Sequence, residues 1–145
     1  MIRVVLDTNV VVSGLLSPSG PPGQTIDLLT HRLIQIVYSD EVLIEYAHVL
    51  RRRELKILPD AVDALLEEIQ GRGTSVAIER WTVAVPDASD SIFLATASAG
   101  QATVITGNLR HYPPSVRLNV EVVSPRTFVD RYTVNTVPLR KRLED

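Results

Sequence analysis

The sequence predicts an α/β fold, a three-layer α/β/α sandwich built around a mostly parallel central sheet. Short apolar runs rich in β-branched residues alternate along the chain with segments of helical periodicity. The runs are apolar throughout instead of alternating with polar residues, which is typical of strands covered by helices on both faces. The 145 residues, 45% hydrophobic and 22% charged, suit one globular domain.

The first half of the chain supplies two predicted strands, at residues 2–6 and 34–38. Residues 10–16 favour a strand by their β-branched side chains or a short helix by their place in an α/β connection, so both remain open. A loop rich in proline and glycine follows, and then apolar residues at helical spacing. Ser39 is the predicted N-cap of the next helix, and the arginines at 51–53 end it with charges that suit its dipole.

The second half continues the alternation of helices and strands. Its predicted elements are a helix at 60–70, a strand at 75–78, a helix at 90–99, strands at 103–106 and 120–123, and a short helix from Pro125. Gly71 and Gly73 are expected to stop the first helix, and Gly100 to occupy the C′ position after the second. We interpret residues 1–132 as one domain and residues 133–145 as a polar tail.

Composition excludes several classes of function. The formal net charge is −2, whereas a protein that grips nucleic acid by charge alone is usually basic. Any positive charge at a reacting phosphodiester would therefore come from a metal ion. The absence of cysteine rules out disulfides and thiolate ligands and suits a cytoplasmic location. No apolar run approaches the ~20 residues of a membrane helix, and the N-terminus lacks a signal peptide.

Polar residues follow two predicted strands at the point where each strand ends. Asp-Thr-Asn occupies residues 7–9 and Thr-Gly-Asn occupies residues 106–108. Ligands of open α/β sheets bind beyond the carboxyl ends of the strands. Asp7 is thus a candidate ligand for Mg²⁺ or Mn²⁺, although for this residue taken alone capping of the next helix is the better explanation. Taken singly, Glu45 fits a solvated helix face and Asp90 fits a first helical turn.

Five sequence blocks together resemble the successive motifs of PIN domains, in particular the branch of toxin–antitoxin toxins related to VapC. The resemblance covers roughly residues 1–130, and the blocks lie at residues 5–10, 39–52, 87–97, 104–108 and 122–128. It implies metal-binding, catalytic carboxylates and hydrogen-bonding residues that support them. The implied carboxylates are Asp7, Glu45 and Asp90. The implied supporting residues are Thr8, Asn9 and Thr106.

Asn108 departs from the family pattern, which often has aspartate at this position. Its amide oxygen is expected to ligate a metal weakly or to hold a water, and it brings no negative charge. A second metal site would therefore be weaker, unless Asp87 compensates. The same residue supports a rival reading, a catalytically silent PIN-like module that binds RNA or a protein partner.

The resemblance implies a metal-dependent endoribonuclease, the toxin of a toxin–antitoxin pair. Mg²⁺ or Mn²⁺ held by the carboxylates would activate a water that attacks phosphorus in line, with a 3′-hydroxyl leaving. The implied partners are an RNA substrate, a small antitoxin and a second copy of the chain.

Three arginines are weaker candidates for contacts with RNA phosphates, namely Arg51, Arg52 and Arg110. Interaction with the helix dipole explains the first two equally well. We interpret His111 as a surface histidine and not as a general base. A phosphotransfer domain is a third reading, but no lysine lies between Lys56 and Lys141, so it is set aside.

Overall fold

A computed structural model describes residues 1–133, and the fold is a five-stranded sheet in which every pairing is parallel. The strand order is β3-β2-β1-β4-β5. The strands are β1 (Arg3–Leu6), β2 (Gln35–Tyr38), β3 (Thr74–Ser75), β4 (Thr103–Ile105) and β5 (Val122–Val123). The predicted α/β class with a parallel central sheet is confirmed.

Helices connect the strands and cover the sheet. They are α1 (Thr8–Leu16), α2 (Pro21–Thr30), α3 (Asp40–Leu50), α4 (Pro59–Arg72), α5 (Ser91–Gly100) and α6, which is described over residues 125–133. Residues 10–16, which the sequence left open, are therefore helical. As predicted, Ser39 caps α3, because its hydroxyl accepts a hydrogen bond from the backbone N–H of Val42.

The core lies on β1 at the centre of the sheet. Val4, Val5 and Leu6 are at most 1% exposed, and each gains about 1.5–3 kcal/mol by leaving water. β1 has a neighbouring strand on either side, and α5 packs on it. The residue after β1 is therefore fixed in position by the most buried part of the protein.

Two expectations about glycine were wrong. Gly71 lies inside α4, and Gly100 is the last residue of α5 instead of its left-handed cap. The left-handed residue is Gln101, with φ of 52°. The physical reason for Gly100 is close packing, since a Cβ there would lie 2.4 Å from Cγ1 of Val37 on β2.

The predicted boundary at residue 132 stays a prediction, because residues 134–145 lie outside the described residues. Among the helices of residues 1–133, none is long and apolar enough to cross a membrane.

Candidate metal centre

The carboxyl ends of β1 and β4 bring the two predicted polar clusters together. Leu6 is in register with Ile105, and the backbone N–H of Asp7 donates to the Ile105 carbonyl at 2.9 Å. The next residues of both strands, Asp7 and Thr106, consequently lie side by side. The Thr106 hydroxyl donates to Oδ2 of Asp7 at 2.8 Å.

Asp7 is a buried carboxylate, 4% exposed, with three side-chain donors to a single oxygen. Its Oδ2 accepts from the Thr106 hydroxyl, from the Tyr112 hydroxyl at 2.9 Å and from Nδ2 of Asn9 at 3.4 Å. Burial raises the pKa of Asp7, and hydrogen bonds from the Thr106 and Tyr112 hydroxyls and from the backbone of Thr8 and Asn9 offset part of that rise. Within residues 1–133 no cationic side chain bonds to Asp7, and a metal ion is one way to compensate a buried carboxylate.

The clusters at residues 7–9 and 106–108 are also joined through their amides. Oδ1 of Asn9 accepts from the backbone N–H of Gly107 at 2.9 Å. The backbone N–H of Asn108 donates to the Thr106 hydroxyl at 3.0 Å. Asn9 and Thr106 thus both hydrogen-bond to Asp7, and their role in supporting a metal site stays a prediction. The Thr8 hydroxyl is buried and has no hydrogen-bond partner within residues 1–133.

Two buried tyrosines, which sequence reasoning missed, complete the surroundings of Asp7. Tyr112 is 0% exposed, and burial together with the charges of Asp7 and Asp90 raises the pKa of its hydroxyl, so it stays a donor. The Tyr46 hydroxyl donates to the carbonyl of Leu6, the residue before Asp7. Neither tyrosine belongs to a sequence pattern that would have revealed it.

Asp90 lies at the start of α5, after a short 3₁₀ turn at Ala88–Asp90. It is 8% exposed, and burial raises its pKa to about 6. The charge of Asp7 adds to this rise, and the hydrogen bond with His111 opposes it. Nδ1 of His111 lies 2.8 Å from Oδ2 of Asp90. The charge of Asp7 thus acts on Asp90 across the site.

Asp87 and His111 extend this part of the site towards solvent. Oδ1 of Asp87 accepts from the hydroxyl of Ser89 at 2.7 Å and from its backbone N–H at 3.1 Å, and the hydroxyl bond chiefly lowers the pKa of Asp87. Ligand atoms of Asp87, Asp90 and His111 lie within 4.8 Å of one another. Over residues 1–133 this is the only group of three acidic, histidine or cysteine side chains so close together.

Comparison with known proteins agrees with the geometry. Residues 3–110 match a family model described as a PIN domain. The chain belongs to the PIN domain family. An uncharacterized protein of Methanocaldococcus jannaschii, MJ1680, is 28% identical over 142 residues, which cover 90% of this chain and 92% of that protein.

Solved structures share the fold of this PIN domain. A chain in the crystal structure of VapBC2 from Rickettsia felis, bound to a DNA fragment from their promoter, aligns with a TM-score of 0.59 and 15% identity, covering 85% of this chain and 98% of its own. A chain in the structure of FitAB bound to the IR36 DNA fragment aligns with a TM-score of 0.56 and 21% identity, covering 84% of this chain and 94% of its own. At sequence identities this low, the alignments show a shared fold only.

The remaining predicted residues of the PIN domain, Glu45 and three arginines, are outside the group of Asp87, Asp90 and His111, as Asp7 also is. Glu45 is half-buried on α3, next to Tyr46, and is not part of the close group of three. Arg51 forms an ion pair of 2.7 Å with Asp63 of α4. Arg52 is exposed just after α3, and Arg110 is exposed in the 3₁₀ turn Leu109–His111.

The donor set fits a hard divalent cation. Asp7, Asp87 and Asp90 offer carboxylate oxygens, the donors that Mg²⁺ and Mn²⁺ prefer, and His111 adds a nitrogen. Concavity alone would have pointed elsewhere, because a cavity of about 660 Å³ lies between α2 and α4, among Ile26 and Leu65, and includes no predicted site residue. The chemistry of the side chains therefore identifies the candidate metal centre.

Proposed function

We propose that this PIN domain is a divalent-metal-dependent endoribonuclease that acts in the cytoplasm as the toxin of a toxin–antitoxin pair. The observation that carries the proposal is Asp7, a buried carboxylate at the end of the central strand whose charge is felt by Asp90. Burial raises the pKa of both carboxyls. Within residues 1–133 neither bonds to a lysine or arginine, and His111 on Asp90 is the one side chain there that could bring compensating positive charge. A divalent metal supplies that charge.

Asp7 and Asp90 are the proposed metal ligands, with Glu45 and the amide oxygen of Asn108 as further oxygen donors. When bound, Mg²⁺ or Mn²⁺ would lower the pKa of a water and neutralise the charge that develops on the phosphate. The Thr106 and Tyr112 hydroxyls hold Asp7 in one orientation through its Oδ2. This fixed orientation removes the need for rearrangement when substrate arrives.

RNA is the proposed substrate, and its phosphates require positive side chains near the carboxylates. Arg110 is the best placed of the three candidates, because it is exposed and adjacent to His111, which contacts Asp90. Arg51 is already paired with Asp63. Arg110→Gln is therefore expected to weaken RNA binding more than Arg51→Gln or Arg52→Gln.

A small antitoxin and a second copy of the chain are the proposed protein partners. Support comes from the fold shared with chains of VapBC2 and FitAB, which were solved as complexes with DNA fragments. We expect the antitoxin to block access to Asp7 and Asp90. Light scattering during size-exclusion chromatography tests the dimer, and a monomer at high protein concentration would contradict it.

The deciding experiment is cleavage of labelled single-stranded RNA with Mn²⁺ or Mg²⁺. The wild-type protein is compared with Asp7→Asn, with Asp90→Asn and with Asp130→Asn, a matched control that changes an exposed aspartate of α6. We expect cleavage that EDTA abolishes, that both site variants lose and that the control retains. Cleavage that survives EDTA and Asp7→Asn would overturn the proposal.

The second candidate function is the silent RNA- or partner-binding module, which Asn108 favours because it removes a carboxylate from the family pattern. Calorimetric titration with Mn²⁺ separates the two functions. A folded protein that neither binds Mn²⁺ nor cleaves RNA would support the silent module.

A further inference from the structure

The group of Asp87, Asp90 and His111 lies beside the inner carboxylate Asp7 and differs from it in chemistry. Two segments build it, the 3₁₀ turn Ala88–Asp90 and the 3₁₀ turn Leu109–His111. It contains an imidazole, whereas the resemblance implies only oxygen ligands at this site. His111 therefore brings a donor that the proposed function does not use.

The spacing of these donors is close to that of ligands around one ion. Two adjacent ligands of an octahedral ion with bonds of about 2.1 Å are separated by about 3 Å, and opposite ligands by about 4.2 Å. Nδ1 of His111 lies 2.8 Å from Oδ2 of Asp90, and the ligand atoms of all three residues lie within 4.8 Å of one another. For the three to share an ion, Nδ1 of His111 has to give up its proton and its hydrogen bond with Asp90, and the most widely separated donors have to move closer together.

The backbone connects this group to Asn108, the residue that stands where the family often has aspartate. Asn108 is anchored by its N–H to the Thr106 hydroxyl, and the turn that starts after it carries His111 to Asp90. Asp87 is held by Ser89 on the other side. The chain thus runs directly from Asn108 into the turn that brings the His111 imidazole to Asp90.

We propose that His111 is a nitrogen ligand in a mixed nitrogen–oxygen metal subsite with Asp87 and Asp90, and that this subsite makes the protein prefer Mn²⁺ over Mg²⁺. Imidazole binds first-row transition ions well, whereas Mg²⁺ keeps oxygen ligands and water. The inference rests on the proposed metal dependence and adds to it the identity of the ion.

The test uses the full-length protein and Mn²⁺ alone, without RNA. Pulsed electron paramagnetic resonance detects ¹⁴N coupled to bound Mn²⁺, and titrations measure the affinities for Mn²⁺ and Mg²⁺. His111→Gln removes the ring nitrogen and keeps a polar side chain. His48→Gln, at an exposed histidine of α3, is the matched control. Circular dichroism melting confirms that each variant is folded.

We expect wild-type protein and His48→Gln to show ¹⁴N coupling that His111→Gln lacks. His111→Gln should weaken Mn²⁺ binding about 10–100-fold, the range found when groups around a bound metal are removed. Binding of Mg²⁺ should change by less than about threefold, because Mg²⁺ depends on oxygen ligands.

The outcomes separate this inference from the proposed function. Suppose that the wild-type protein binds Mn²⁺ without ¹⁴N coupling and that Asp90→Asn abolishes the binding. That result would overturn the proposal of a nitrogen ligand and would leave the proposed metal-dependent nuclease intact. Coupling retained in His111→Gln would also overturn it. A folded wild-type protein that binds neither ion would overturn both.

Discussion

The inner and outer halves of the candidate metal centre are built in different ways. The inner half consists of Asp7, Asn9, Thr106 and Tyr112, whose positions follow from the ends of two central strands and from burial in the core. The outer half consists of Asp87, Asp90 and His111, which are held by short 3₁₀ turns closer to the surface. The fold therefore dictates the inner half, whereas local turns can adjust the outer half without disturbing the core.

The largest expected difference between the halves concerns the rate of RNA cleavage. Asp7→Asn should lower the rate constant about 10²–10³-fold, since it removes a charge at a preorganised site. His111→Gln should lower it about tenfold, and excess Mn²⁺ should restore part of the loss. Single-turnover cleavage of labelled RNA measures both rate constants. Equal decreases of the rate constant in the two variants would mean that the outer half is as important for cleavage as the inner half.

Folding stability at different pH values probes the outer carboxylate. The unfolded Asp90 carboxyl ionises near its usual pKa of 3.8 and the folded one near 6, so between these values the unfolded state loses its proton first. The contribution of Asp90 to stability is thus present below about pH 4 and is lost as pH rises through about 6. Asp90→Asn should therefore stabilise the metal-free protein near pH 7 by about 1–3 kcal/mol.

Urea unfolding in EDTA at about pH 4 and about pH 7 measures this difference. Asp130→Asn, at an exposed position of α6, is the control and should stay within about 0.5 kcal/mol of wild type. An Asp90→Asn protein with no gain near neutral pH would show that burial does not destabilise the ionised carboxylate.

Two buried tyrosines allow a matched comparison within the inner half. Tyr112→Phe removes a donor to the Asp7 carboxylate, and Tyr46→Phe removes a donor to the neutral Leu6 carbonyl. Near neutral pH the first should cost about 1.5–3 kcal/mol and the second about 0.5–1.5 kcal/mol, because a bond to a charged acceptor is stronger. Urea unfolding measures both. A larger cost for Tyr46→Phe would indicate that Asp7 is protonated in the folded protein.

The smallest expected effect lies outside both halves, at the ion pair of Arg51 and Asp63. Both side chains are about half exposed, at 48% and 53%, so water screens their attraction. Arg51→Gln should reduce the free energy of unfolding by about 0.2–1 kcal/mol. Thermal unfolding provides the measurement, with Arg52→Gln, at the next exposed arginine, as control. A loss above this range would show that the pair is part of a larger network.

Most of the fold could be predicted from the sequence, because continuous apolar runs specify buried parallel strands. The predicted strands at 75–78 and 120–123 were too long, since β3 and β5 are two-residue strands that each pair on one side. Such lengths depend on the neighbouring strand and not on propensity. Residues 10–12 are three valines with a strand propensity, yet the connection after Asp7 makes them helical.

The candidate site was less predictable than the fold. Asp7 and Thr106 could be placed together because both directly follow strands. Tyr112 and His111 could not, since their positions depend on how the chain turns back after β4, and neither sequence pattern nor spacing reports that turn. The role of Glu45 stays a prediction.

The bond between Thr106 and Asp7 joins residues that are 99 positions apart in the sequence, and the bond from Tyr112 joins residues 105 apart. During synthesis on the ribosome, Asp7 emerges early but meets these hydroxyls only after β4 has emerged too. The nascent chain is therefore without a complete inner half until Tyr112 has emerged. The nuclease activity that we propose depends on the inner half and therefore could not arise before that point of synthesis.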